Sequence, residues 1–155
     1  MPDFISIFKK VSTKILEDWG MMLVDEEANA KAMFDPNQKY YVSVVAFKGH
    51  GTIDGNYSVI CQSPFINALA SNLLGVDDPL TEEQKADALK EMSNVLTGNL
   101  ITEFYGADVS FDLLPPESFT MDPELAFTIL DSKRTLAFCA DDTPVAISFS
   151  LENPT

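Results

Sequence analysis

The stretch that most constrains this chain is Thr81-Glu82-Glu83-Gln84, together with the long run behind it that closes at Gly106. Thr81 and Gln84 stand at capping-box spacing, the threonine hydroxyl accepting an orphan N–H while the glutamine side chain reaches back to the cap. Gly106, just after Phe104 and Tyr105, is the usual residue for the left-handed turn that ends a helix, so a helix is expected over residues 82–105. Leu89, Met92, Leu96, Leu100 and Phe104 recur on it with a helical period and form one stripe that faces a core.

Asp87, Glu91, Asn94 and Gly98 fall on the opposite face. For a single exposed Glu or Asn, plain solvation is the ordinary explanation. A merely solvated face, however, would be filled with good helix formers. Gly98 costs about 1 kcal/mol against alanine in a helix interior, and the Asn94 amide competes for backbone groups. An outward glycine fills no core, but it lets another molecule's backbone come close.

The spacing carries more. Asp87-x3-Glu91-x2-Asn94, then twenty-one residues, then Pro116, resembles the D/S-x3-E-x2-N-x21/22-P signature of the CheC/CheX/FliY family of bacterial chemotaxis phosphatases, and within it CheX most. Glu91-Met-Ser-Asn94-Val-Leu-Thr-Gly98-Asn99 is similar to the family's E-h-x-N-h-h-x-G-N run, where h is apolar. Residues 45–74 resemble the first half of CheX: an apolar strand, a Gly-x-Gly turn, a second strand and a proline-initiated helix ending at Gly75.

The resemblance implies an α+β fold of two layers, an antiparallel sheet with long helices packed on it and pseudo-twofold halves, spanning residues 1–155 as a single CheX-like domain. It implies a phosphatase that hydrolyses the aspartyl phosphate of a CheY-like response-regulator receiver. Asn94 would hold the attacking water, a neutral amide offering donor and acceptor without repelling phosphoryl oxygens. Glu91 would pair with the receiver's lysine, and Asp87 and Gly98 would flank the contact as docking residues. Pro116 belongs to the signature but reads as a backbone stop. No cofactor is expected on this chain, since the Mg²⁺ belongs to the receiver. By the same resemblance a homodimer through paired sheet edges is expected.

The first part of the chain forms a diffuse repeat of this pattern. Phe4, Phe8, Val11, Ile15 and Trp19 predict an amphipathic packing helix over residues 3–19, ended near Gly20. Overlaying Ile15 on Leu89 sets Thr13 against Asp87, Glu17 against Glu91 and Gly20 against Asn94, so the first copy lacks the asparagine and any second site. A short strand and a loop are expected over residues 26–38.

Residues 40–47 and 52–61 predict two antiparallel strands joined at Gly49-His50-Gly51. A strand rather than a helix follows this glycine pair, which favours a hairpin over a phosphate cradle, and His50 reads as a turn residue. Ser63-Pro64 predicts an N-cap with proline at the first helical position, with Phe65, Ile66, Leu69, Leu73 and Leu74 buried. Asp77-Asp78-Pro79 links into the long helix. Strands are then expected over residues 107–113 and 125–130, and over 136–140 and 145–151 as a hairpin around Asp141-Asp142-Thr143-Pro144.

A formal charge of −14 over 155 residues argues against nucleic acid or an anionic membrane surface and favours a protein partner with a basic patch. Cys61 and Cys139 sit in apolar strand-like runs, and no signal peptide or long apolar span is evident, so the cytosol is the expected setting and both are read as core thiols. Two cysteines and one histidine are too few for a protein-built zinc site. Two other classes remain: a non-catalytic adaptor like the middle domain of flagellar switch proteins, and a metal-dependent hydrolase using Asp87 and Glu91, which has few ligands.

Overall fold

The computed structural model describes residues 4–26, 28–49, 54–75, 79–106 and 111–152. Helix α1 (Phe4–Lys14) runs on into a π-helical turn, Ile15–Trp19, and is followed by β1 (Val24–Asp25), a 3-10 turn (Ala30–Met33), β2 (Tyr40–Gly49) and β3 (Asp54–Cys61). Then come α2 (Ser63–Leu74), α3 (Glu82–Tyr105), β4 (Phe111–Leu113), β5 (Glu117–Met121), α4 (Pro123–Leu130), β6 (Thr135–Ala140) and β7 (Thr143–Glu152). The fold is α+β, and every strand pair is antiparallel.

The strand order is β1-β6-β7-β3-β2-β4, with β5 also on β2. Exchanging β1, β2 and β3 with β4/β5, β6 and β7 reads this order backwards. The two halves are therefore related by a pseudo-twofold between β3 and β7, and each lends its first strand to the other half's hairpin. β4 and β5 lie end to end along β2, and Pro115-Pro116, which lack ladder donors, interrupt the pairing between them.

Alternation fixes which sheet face is covered. Tyr41, Cys61, Val145 and Phe138 are register neighbours across β2, β3, β7 and β6, and all point under the helices. They meet Phe8, Val11 and Ile15 of α1 and its π turn, Phe65, Ile66 and Leu69 of α2, and Leu89, Met92, Leu96 and Leu100 of α3. The Phe8 ring lies 4.8 Å from Phe149, and Phe47 stacks on Tyr57 at 5.5 Å. A smaller cluster on the other face joins Tyr40, Val42, Ile60 and Ala146 to Phe34 and to Ala126 and Leu130 of α4.

Several expectations need correction. Residues 125–130 form the end of α4, not a strand: Pro123 occupies the first turn, and Ala126 and Leu130, four apart, bury one helical stripe. The cap of α2 is Gln62, so Ser63 is already helical. The last hairpin turns on Asp141 and Asp142 alone, with φ of 48° and 60°, the backbone of a two-residue type I′ turn, while Thr143 and Pro144 belong to β7. Gly106 has φ 87° and ψ 161°, outside the left-handed helical region and in a region open essentially to glycine. Of the last two strands, β7 is interior and β6 leaves part of its edge open, β1 pairing with just Cys139 and Ala140, while β4 and β5 form the opposite edge of the sheet. The junction at residues 50–53, including His50, lies outside the described residues, as do Asp77, Asp78 and residues 107–110.

Cys61 and Cys139 are free and buried, and burial raises both thiols above their ordinary range, with Asp25 and Asp142 adding to the rise at Cys139. A thiol reagent is expected to find almost no reactive cysteine in the folded protein and both in urea. Full reaction without denaturant would contradict this packing.

Candidate functional site

The long helix is held at its start by its own sequence and by the sheet. The Thr81 hydroxyl accepts the Gln84 N–H at 3.1 Å and the Gln84 side chain accepts the Thr81 N–H at 2.9 Å, closing the capping box. At the first helical residue, Tyr41 of β2 donates its hydroxyl to Glu82 at 3.0 Å, and Lys39 pairs with the same carboxylate oxygen at 3.2 Å. Lys85 donates to Ser63 at 3.1 Å and to Tyr41 at 3.4 Å, and the ammonium groups of Lys39 and Lys85 lie 5.2 and 5.1 Å from the Tyr41 ring centre. The Tyr41 hydrogen bond, with the lysines, holds Glu82 below the usual carboxylate range.

Glu82 therefore gives up its stabilising effect as pH falls through the acid range, and Lys39, whose pKa the same Glu82 contact raises, gives up its share as pH rises through the alkaline range. Tyr41→Phe is expected to lower the melting temperature at neutral pH by about 2–4 °C, the equivalent of one net hydrogen bond in a chain of this size, with the difference shrinking at acid pH. An unchanged melting temperature would mean that this anchor adds nothing.

With the start fixed and Leu89, Met92, Leu96 and Leu100 buried, the helical period leaves no freedom over what faces outward. Asp87 and Glu91 are exposed, and Asn94 and Gly98 are half-buried. The structure thus brings all four sequence-derived residues onto one outward stripe. Glu91 and Asn94 are one turn apart, a rise of about 4.5 Å. Neither side chain has a hydrogen bond or ion pair among the described residues. Pro116 lies apart from this stripe, in the gap between β4 and β5.

Gly98 needs no glycine for the sake of its own fold. A Cβ built there meets nothing within 4 Å, and the Gly98 carbonyl accepts the Thr102 hydroxyl at 3.0 Å. Gly98→Ala is expected to raise stability by about 1 kcal/mol in urea denaturation. A loss of stability would show that the glycine serves the helix itself.

The position that the sequence overlay sets against Asn94 could take a side chain only with a shift of backbone. Gly20 follows the last π-helical residue, and a Cβ there would lie 2.9 Å from the Leu16 carbonyl oxygen and 3.3 Å from Leu69. Sequence reasoning also missed one part of the site. Ala70 and Leu73 of α2 come beside Asp87 and Glu91 across a groove, although the helical period of α2 marks Leu73 only as a packing residue. Among the described residues, no three His, Cys, Asp or Glu side chains gather as a metal ion would need, and no helix is long and apolar enough to cross a membrane.

The fold and this face define an α+β protein of two related halves, of which only the second presents an acid and an amide outward from its long helix. The chain belongs to the CheX family: the family model described as chemotaxis phosphatase CheX matches residues 41–149. No curated protein matches it in sequence. Among solved structures it is similar to CheX from Vibrio vulnificus (TM-score 0.70, 14% identity, 97% of each chain covered). It is also similar to a CheC-like superfamily protein from Shewanella sp. PV-4 (TM-score 0.69, 19% identity, 98% of this chain and 99% of that one). A third is CheX from Borrelia burgdorferi, in a complex with CheY, BeF3 and Mg²⁺ (TM-score 0.63, 16% identity, 97% and 98% covered). Identities this low bear on the fold alone.

Proposed function

We propose that this protein hydrolyses the aspartyl phosphate of a CheY-like response-regulator receiver, with Asn94 orienting the attacking water and Glu91 anchoring α3 to the receiver's lysine. The observation that carries this is the pairing of a carboxylate and an amide, neither with a partner among the described residues, on the outward stripe of a helix whose other stripe is locked in the core. Family membership supports it, as does the Borrelia burgdorferi CheX complex with CheY.

An acyl phosphate is already reactive, so the task left to the protein is mainly to place water in line with phosphorus. Asn94 accepts one water hydrogen through its carbonyl oxygen while its amide group stays near the phosphoryl oxygens, and adds no charge to repel them. Water attacks phosphorus, the bond to the aspartyl oxygen breaks, and the products are inorganic phosphate and a free carboxylate. Mg²⁺ comes with the receiver and neutralises charge there. Glu91 pairs with the lysine in an interface that docking dries, where such a pair is worth more than at an open surface. Asp87 joins the contact, and Gly98 lets the receiver backbone approach.

The protein acts in the cytoplasm as a homodimer, joined through the part of the β6 edge that β1 leaves unpaired. Light scattering over a range of concentrations should then give twice the chain mass, and a monomer throughout would remove this assembly.

The activity is tested by timing phosphate loss from a phosphorylated receiver with Mg²⁺. Asn94→Ala is expected to slow turnover about a hundredfold while keeping binding, and Glu91→Ala to weaken binding as well. Equal rates for wild type and Asn94→Ala would reject the mechanism. Stable association without any dephosphorylation would make the protein an adaptor.

A further inference from the structure

Glu91 forms one end of a groove of about 290 Å³ between α2 and the first half of α3. Its lining is mainly apolar, from Ala70, Leu73, Leu80 and Ala88, and the exposed Gln84, Asp87 and Glu91 complete it. The Asp87 and Glu91 carboxylates are four residues apart on one helix face, a like-charge arrangement that disfavours the helix. Neither has a cation partner among the described residues. Lys39 pairs with Glu82 and Lys85 donates to Ser63 and Tyr41, while Lys90, three residues beyond Asp87 on α3, forms no ion pair with either carboxylate among the described residues.

An apolar trough with an acidic lip matches the two-part chemistry of a lysine or arginine side chain, a greasy stem carrying a charged head. We infer that the groove between α2 and α3 receives a second basic side chain of the docked receiver, its stem against Leu73 and Ala88 and its head paired with Asp87. This rests on the proposed docking of Glu91 and Asn94 and extends it toward the start of α3. Asp87 lies one turn before Glu91, about 6 Å along the axis, so the second cation sits about that far from the lysine that Glu91 meets. The groove thereby selects among receivers. Those carrying a basic residue at that distance from the phosphorylation pocket dock tightly, and those with an acidic or short residue there do not.

The test uses a receiver that the wild-type protein dephosphorylates, held in its active form with beryllofluoride and Mg²⁺, and titrates it against wild type, Ala88→Leu and Asp87→Asn. Ala88→Leu fills the trough and Asp87→Asn removes the charge from its lip, and thermal melting checks that both are folded. Each is expected to raise Kd three- to tenfold. Raising salt from about 50 to about 300 mM should abolish most of the Asp87→Asn deficit and leave that of Ala88→Leu, since only the former is a screened charge contact. In turnover assays Ala88→Leu should act on KM far more than on kcat.

Wild-type affinity in both variants would overturn the inference. A deficit in Ala88→Leu alone would also overturn it, because the occupant would then be apolar rather than cationic. Asn94→Ala, run in parallel, separates the two levels. Lost turnover there with unchanged docking in the groove variants rejects the groove but keeps the mechanism, whereas wild-type turnover in Asn94→Ala removes both.

Discussion

Burial of the Leu89, Met92, Leu96 and Leu100 stripe against the sheet is the constraint on which the remainder depends. Complete burial of one leucine-sized side chain is worth about 1.5–3 kcal/mol, so four in a row fix the rotation of α3 against any competing preference of its polar residues. Once that rotation is set, Asp87, Glu91, Asn94 and Gly98 have to point outward. The Tyr41 cluster, which ties Glu82 and Lys85 to β2 and to Ser63, fixes the other degree of freedom, sliding along the axis. A functional face on a helix locked in both rotation and translation is prepared before any partner arrives, which lowers the entropic cost of docking.

The pseudo-twofold explains why there is one such face and not two. α1 and α3 begin equivalent halves, but α1 gives way to a π turn and ends at Gly20, whereas α3 runs on for three further turns. A Cβ at position 20 would press on the Leu16 carbonyl, so that half has exchanged an outward polar position for a tight chain reversal into β1. The second half keeps its helix and carries all four residues of the outward stripe.

What could be read from the sequence follows where the determining forces are local. The start of α3 was legible because Thr81 and Gln84 close their capping box within four residues, and its outward face because helical periodicity is a property of the helix alone. The β2–β3 pair was legible from its valine and tyrosine content and the alternation in β3, and the β6–β7 pair from the turn residues between two runs. α4 was misread because Leu125-Ala-Phe-Thr-Ile-Leu130 is a short run of apolar residues broken only by Thr128, and only the burial of Ala126 and Leu130 against Tyr40 and Val42 decides for a helix. β5 was not anticipated at all: its residues are exposed or half-buried, and what makes it a strand is pairing with β2, some eighty residues away in sequence. The groove beside Glu91 was equally invisible, because it exists only where α2 and α3 meet.

The central claim is that the outward stripe of α3 enters a receiver's phosphorylated pocket. The most direct measurement is the NMR signal of the Asn94 side-chain amide, followed while a receiver carrying beryllofluoride and Mg²⁺ is added. That signal, with the backbone amides of residues 87–98, should shift or broaden at substoichiometric receiver, while the α4 amides stay in place. An unmoved Asn94 amide, with perturbations gathered on α1 or α4 instead, would contradict the claim.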